Sequence, residues 1–179
     1  MCGIAGLAFR DTARTPDTAV LHRMAGILRH RGPDGDGFHA APGVGFGFRR
    51  LAIIDLATGG QPMSSEDGNV VAMCNGEIYN HAALRARLAA AGHRFRTASD
   101  AEVIVHLYED HGDAFVDHLR GMFAIALWDA RRARLVLARD RFGMKPLYYA
   151  TTGDALVFGS EAKSILASGL VAAAPDLQG

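Results

Sequence analysis

The residues able to do chemistry begin at the second position of the chain, where Cys2 follows Met1 directly. Methionine aminopeptidases remove an initiator methionine when the next residue is small, and cysteine is small enough. Cys2 would then carry a free α-amine beside its own thiol, placing a nucleophile and a base in one residue. An α-amine titrates at roughly 7.7–8.0, so part of it is neutral near pH 7 and accepts a proton. A thiol with a pKa of about 8.5 needs such a base, or a positive field, before it attacks efficiently. With Met1 retained that amine is absent, and the form is expected to be inactive. On position alone Cys2 also reads as a small buried hydrophobe opening a strand.

Three other features have complementary chemistry. Asn75-Gly76 offers a side-chain amide and a backbone N–H, two donors of the kind an oxyanion hole needs. The same dipeptide is a strong turn signal, so a tight turn is expected there. Arg50 offers a planar fork suited to a carboxylate. Asp100 sits in the first turn of an expected helix, where the dipole favours its ionised form and an ammonium could be held. A ligand with a carboxylate, an ammonium and a carbonyl to be attacked is an amino acid with a side-chain amide, and glutamine meets that description.

The elements that must position these residues follow from periodicity. A short buried strand is expected over 4–9, and Val44 to Ile54 alternates as a strand with Phe46, Phe48 and Arg50 on one face. Residues 69–74 read as a further strand, and four short strands are expected from Gly121 to Ser160. Helices are expected after Thr15-Pro16, from Asn80 to about Ala91 with Gly92 as stop, and after Ser99, where Ser99 and Glu102 have capping-box spacing. Arg29 to Gly37, rich in glycine, reads as a tight loop; no Lys-Ser or Lys-Thr pair follows, so it is not a phosphate loop. Strands and helices fall in clusters rather than strict alternation, which points to an α+β fold of antiparallel sheets with helices outside.

Composition narrows the function classes. The 179 residues are 49% hydrophobic and 21% charged, with 19 Lys+Arg against 19 Asp+Glu. A zero net charge without a basic stripe gives no support to nucleic-acid binding. The longest apolar run, 122–128, is too short to span a bilayer, and the N-terminus lacks a signal-peptide pattern, so no membrane association is expected. Two cysteines make no disulfide framework and suit a reducing, cytoplasmic location. The eight histidines show no His-x-x-x-His spacing, so no metal site is expected.

A larger pattern emerges from motifs in order: Met1-Cys-Gly-Ile-Ala-Gly6, Arg29-His-Arg-Gly-Pro-Asp-Gly35, Arg50-Leu-Ala-Ile-Ile-Asp55, Gly60-Gln-Pro-Met63, Asn75-Gly-Glu-Ile-Tyr-Asn80, Ser99-Asp-Ala-Glu-Val-Ile104, Gly121-Met-Phe-Ala124, Ala138-Arg-Asp-Arg141 and Lys145-Pro-Leu-Tyr148. The sequence resembles the N-terminal glutaminase domain of glutamine-hydrolysing asparagine synthetases, a class II glutamine amidotransferase of the N-terminal nucleophile hydrolase type. The resemblance covers about 2–170. It implies a four-layer αββα sandwich of two antiparallel sheets. It implies that Cys2 attacks the glutamine side chain through a γ-glutamyl thioester, releasing ammonia and then glutamate. Asn75 and the Gly76 N–H match the oxyanion hole. Arg50 matches the carboxylate clamp, Asp100 the ammonium acceptor and Glu77 a further ligand contact. Leu51 and Ile53 match backbone positions lining the pocket.

The resemblance also sets the domain plan. Residues 1–171 form the glutaminase domain, and 172–179 read as the start of a linker toward a synthetase domain. The serine-glycine-glycine-x-aspartate-serine signature of that domain is absent from these residues. ATP and magnesium belong to that domain, and no cofactor is expected in this one. The implied partners are glutamine and a synthetase domain in cis or in trans, and a homodimer is compatible with the pattern. Sugar-phosphate and purine-pathway amidotransferases share the N-terminal cysteine, but their pocket arginine lies in a different stretch. A catalytically dead docking scaffold is a third reading, although such relatives lose the cysteine that is present here.

Overall fold

The structure, a computed structural model, describes residues 1–174. Its strands form two antiparallel sheets. The first has five strands in the order β2 (Gly35–Ala41), β3 (Val44–Arg50), β1 (Gly3–Phe9), β9 (Ala155–Gly159) and β8 (Tyr148–Thr151). The second has four, in the order β4 (Met63–Ser64), β5 (Val70–Ile78), β6 (Gly121–Asp129) and β7 (Arg134–Arg139). The helices are α1 (Thr18–Gly26), α2 (His81–Ala90), α3 (Val103–His111) and α4 (Ala162–Leu166).

Side-chain alternation along the strands separates three apolar layers. In β5, Val70, Ala72 and Cys74 face the α2–α3 side with Leu84, Leu88, Ile104 and Leu107, while Val71 and Met73 face the other sheet with Ile4, Phe46, Phe48 and Trp128. On the far side of the first sheet, Leu7 and Val157 pack against Leu21, Met24 and Ile165 of α1 and α4. Three apolar interfaces separate four layers, helices–sheet–sheet–helices, so the α+β sandwich expected from the sequence is the one observed.

Several local expectations are corrected. Asn75-Gly76 is not a turn; both residues lie inside β5, opposite Ala124 and Phe123 of β6. Glycine is needed there because the strands approach closely: a Cβ on Gly76 would sit 2.7 Å from the Phe123 Cα and nearer still to the Met122 carbonyl oxygen. The first helix starts later than Thr15-Pro16, where the sequence placed Thr15 as N-cap and Pro16 in the first turn; its cap is Asp17, whose carboxylate accepts the Ala19 N–H at 2.8 Å. β3 stops at Arg50, and the end of the expected 29–37 loop, from Gly35, already belongs to an edge strand that runs to Ala41. Ser99 caps the 3-10 turn 100–102 that leads into α3, but Glu102 does not complete a capping box. Its carboxylate instead accepts the Arg96 and Thr97 N–H groups at 2.7 and 2.9 Å. Of the expected linker, 172–174 continue past α4 without regular structure and 175–179 lie outside the described residues. Among the described residues no helix is long and apolar enough to cross a membrane.

Candidate active site

Cys2 immediately precedes β1, the central strand of its sheet, so the chain start is held on both flanks. Gly3 pairs with Arg49 of β3, and the Ile4 N–H donates to the Ser160 hydroxyl at 3.0 Å beyond β9. The Cys2 thiol lies against residue 51: the Leu51 N–H donates to Sγ at 3.4 Å, and the thiol points at the Leu51 carbonyl at 3.6 Å. The Arg31 Nε donates to the Cys2 carbonyl at 3.0 Å, and its Nη1 donates to Glu161 at 3.0 Å. Burial opposes ionisation of Glu161, yet hydrogen bonds from Lys163, Arg31 and His30 outweigh it and hold that carboxyl at about 2. Burial pushes the Cys2 thiol up, with the Leu51 N–H and the positive charges of the N-terminus and Arg50 pulling the other way. The thiol is therefore neutral near pH 7 and needs a base to attack.

The direction of the Gly76 N–H follows from hydrogen-bond alternation along β5. In an antiparallel strand, the backbone groups of alternate residues face opposite edges. The Ala72 position faces β4, paired with Met63. Two residues on, Gln61 continues the edge with its side chain: the Cys74 N–H donates to its Oε1 at 2.6 Å, and its Nε2 donates to the Cys74 carbonyl at 3.2 Å. Four residues further, the Ile78 N–H donates to Asp100 Oδ2 at 2.7 Å. Gly76 falls between these two. Its N–H faces the same edge, which opens on the cleft, and finds no acceptor among the described residues.

Asn75 points the other way, into the layer between the sheets where Ile4 and Cys2 pack. It is 1% exposed, and neither of its amide atoms has a hydrogen-bond partner among the described residues. A buried amide left unsatisfied costs about 1–3 kcal/mol, so its retention asks for a function. Arg50 extends from the end of β3 onto the following turn, donating to the carbonyls of Ile54, Asp55 and Leu56. Glu77 lies beside Asp100; burial and that neighbouring carboxylate push its carboxyl up, while Lys145 opposes.

Cys2, Arg50, Leu51, Ile53, Gly76, Glu77 and Asp100 line one small cleft of about 30 Å³; Asn75 precedes Gly76 in β5 and is not among the lining residues. Two roomier depressions, about 670 and 770 Å³, lie elsewhere and contain none of these residues. The chemistry locates the site here, and volume does not. Three participants escape sequence reasoning. Arg31 and Glu161 fix Cys2 from residues far apart in the chain, and Gln61 completes the β5 edge. The only sequence signal for Arg31 and Gln61 was their place in the Arg29–Gly35 and Gly60–Met63 motifs.

Comparison with known proteins shows the family. A family model described as the glutamine amidotransferase domain matches residues 1–179. The chain belongs to the glutamine amidotransferase domain family. It is 48% identical over 167 residues to a glutamine-hydrolyzing asparagine synthetase of Bacillus subtilis, covering 92% of this chain and 22% of the relative. A glutamine-hydrolyzing asparagine synthetase of Arabidopsis thaliana is 46% identical, with 92% and 28% covered. This amidotransferase domain thus spans about a quarter of the length of the curated relatives it matches. Glutamine phosphoribosylpyrophosphate amidotransferase from B. subtilis superposes with a TM-score of 0.72 at 23% identity, covering 94% of this chain and 44% of that one. That likeness carries the fold, which is the N-terminal nucleophile hydrolase sandwich.

Proposed function

We propose that this amidotransferase domain hydrolyses glutamine through Cys2 and passes the ammonia to a synthetase domain. The observation that carries the reading is the Cys2 thiol in a cleft bordered by a free Gly76 N–H, with the Asn75 amide, unpartnered among the described residues, preceding it in β5. Once Met1 is removed, the Cys2 α-amine takes the thiol proton, and the thiolate attacks the side-chain carbonyl carbon of glutamine. The Gly76 N–H and the Asn75 Nδ2 donate to the developing oxyanion. The C–N bond breaks, and the leaving amide takes the proton back from the α-ammonium. The products are ammonia and a γ-glutamyl thioester. Water, deprotonated by the same amine, then cleaves the thioester to glutamate and regenerates the thiol.

Glutamine is positioned by three charged groups. Arg50 exchanges its carbonyl partners in the 54–56 turn for the substrate α-carboxylate, so loading opens the loop that keeps the cleft small. Asp100 and Glu77 receive the α-ammonium, and the backbone at Leu51 and Ile53 lines the floor. No cofactor takes part in these steps. The relatives are named glutamine-hydrolyzing asparagine synthetases, which supports a synthetase partner, in cis or in trans, that makes asparagine or amidates a related carboxylate; ATP and magnesium would serve that partner and not this domain.

The test is intact mass before and after incubation with an electrophilic glutamine analogue. Loss of Met1 and a single adduct that disappears in Cys2→Ala is the expected result. A processed protein that takes up no adduct and releases no glutamate from glutamine would refute the reading in favour of a docking scaffold.

A further inference from the structure

Apart from the residues that line the cleft, four ligand-type side chains converge from three separate segments. Glu66 comes from the β4–β5 turn, His93 from the loop after α2, and His106 and Glu109 from one face of α3. Their donor atoms all lie within 4.8 Å of one another. The His106 Nδ1 is 3.3 Å from Glu109 and 3.5 Å from Glu66; the His93 Nδ1 is 3.6 Å from Glu109 and 3.9 Å from Glu66. With bonds of roughly 2.0–2.1 Å, the donors of a tetrahedral zinc site are about 3.3 Å apart. Three of these four separations, 3.3, 3.5 and 3.6 Å, are within a few tenths of an ångström of that spacing, and the fourth, 3.9 Å to the other Glu66 oxygen, is longer.

A second feature is independent of those distances. The His93 Nε2 lies 3.0 Å from Asp110 Oδ1, a carboxylate outside the cluster. Donation of that ring N–H to Asp110 fixes the tautomer and turns the Nδ1 lone pair toward Glu66 and Glu109. Metal-ligating histidines are typically held this way, with the second ring nitrogen on a carboxylate. Without a metal the cluster is held by ring protons, the His106 Nδ1 lying 3.3 Å from Glu109 Oε2, and a divalent cation would displace them. His106 is 1% exposed and stacks edge-on against Phe95 at 4.6 Å, so it cannot turn out to water. Glu66 is partly exposed, which leaves a path from solvent, and its carboxylate is oriented by the Arg94 N–H at 2.7 Å.

We propose that Glu66, His93, His106 and Glu109 bind a divalent transition cation of the zinc class. Two imidazoles and two carboxylates suit zinc or cobalt better than calcium or magnesium, which prefer all-oxygen shells. Four protein donors leave no open position, so the site is structural. It fastens the β4–β5 turn and the loop after α2 to α3, whose leading turn carries Asp100. The proposal does not depend on glutamine hydrolysis.

The experiment uses the full chain, stripped with chelator, in a Cys2→Ala background so that the accessible thiol does not compete. Zn²⁺ is titrated calorimetrically, and Co²⁺ is added in parallel for its visible spectrum. One Zn²⁺ per chain, the intense visible bands of four-coordinate Co²⁺, and a Tm raised by roughly 5–10 °C at a hundredfold excess over Kd are expected. Asp110→Asn should weaken binding about 10- to 100-fold. His93→Ala and Glu66→Gln change partly exposed residues and should lose the site while remaining folded; His106→Ala is less informative because it opens the core. Absence of saturable binding at micromolar Zn²⁺ would overturn the proposal. So would binding that survives unchanged in both His93→Ala and Glu66→Gln.

Discussion

Gly76→Ala tests the geometry of the β5 edge more sharply than removal of the nucleophile. The added Cβ would lie 2.7 Å from the Phe123 Cα and closer to the Met122 carbonyl oxygen. Reaching the 3.4 Å of ordinary contact with the Cα alone moves the strands apart by about 0.7 Å, and the carbonyl demands more. Both obstacles are backbone in the middle of a four-stranded sheet, so no rotamer change relieves them. Overpacking of this kind costs about 1–3 kcal/mol, or roughly 2–12 °C in Tm for a chain of this size. The catalytic effect is larger. A displacement of about 1 Å costs on the order of 10²-fold, and a lost oxyanion donor costs about 10²–10³-fold in kcat. The assay is glutamate release by the Met1-processed protein, beside a circular-dichroism melt. Gly153→Ala is the control, because a Cβ there meets nothing within 4 Å and its φ is not positive. The expected result is a modest loss of Tm with a kcat lowered at least a hundredfold. Wild-type kcat with a lowered Tm would remove the Gly76 N–H from the oxyanion role; no change in either would refute the close approach itself.

Asn75→Leu should separate stability from activity. Both amide atoms are buried and unpartnered among the described residues, so an apolar side chain of similar size leaves Tm unchanged or higher, while kcat falls about 10²–10³-fold; a clear drop in Tm would contradict the unsatisfied amide. Arg50→Lys should mainly raise KM for glutamine, because an ammonium does not replace a two-pronged fork; a wild-type KM would rule out the carboxylate clamp. Glu161→Gln tests the latch on Cys2. A carboxyl held at about 2 in the folded chain, against roughly 4.3 unfolded, stabilises fully above the unfolded value and loses that effect as pH falls toward 2. Melting curves of Glu161→Gln should therefore be flatter over that acid range and lie lower than wild type at neutral pH; parallel profiles would mean the ion pair is not formed.

The sequence was most legible where chemistry is carried by residue type. Cys2, Arg50 and Asp100 stood out because a nucleophile, a planar cation and a helix-start anion are unusual where they occur, and the cleft gathers them. Asn75 and Gly76 were picked out for a local reason that the structure replaces. Asn-Gly favours turns when only neighbours in the chain are counted, yet pairing with β6 and the crowding by Met122 and Phe123 decide in favour of strand. Arg31 was hidden because its partners, Cys2 and Glu161, are remote in sequence. The His93–His106 cluster was hidden likewise. A search for helical histidine spacing misses ligands drawn from a turn, a loop and a helix.

The fastening of the chain start also orders events in time. Ile4 is made 156 residues before its anchor Ser160, and Arg31 is made 130 residues before its partner Glu161. At about 5–20 residues per second, roughly ten to thirty seconds separate the members of each pair. During that interval the Met1–Cys2 bond is unlatched and open to the aminopeptidase. Once β9 pairs with β1 and Arg31 bridges to Glu161, the same bond sits at the lip of a folded cleft. For the nucleophile proposed here, translation thus leaves time to expose the Cys2 amine before folding closes, and Met1, 53% exposed in the folded chain, stays within the enzyme's reach afterwards.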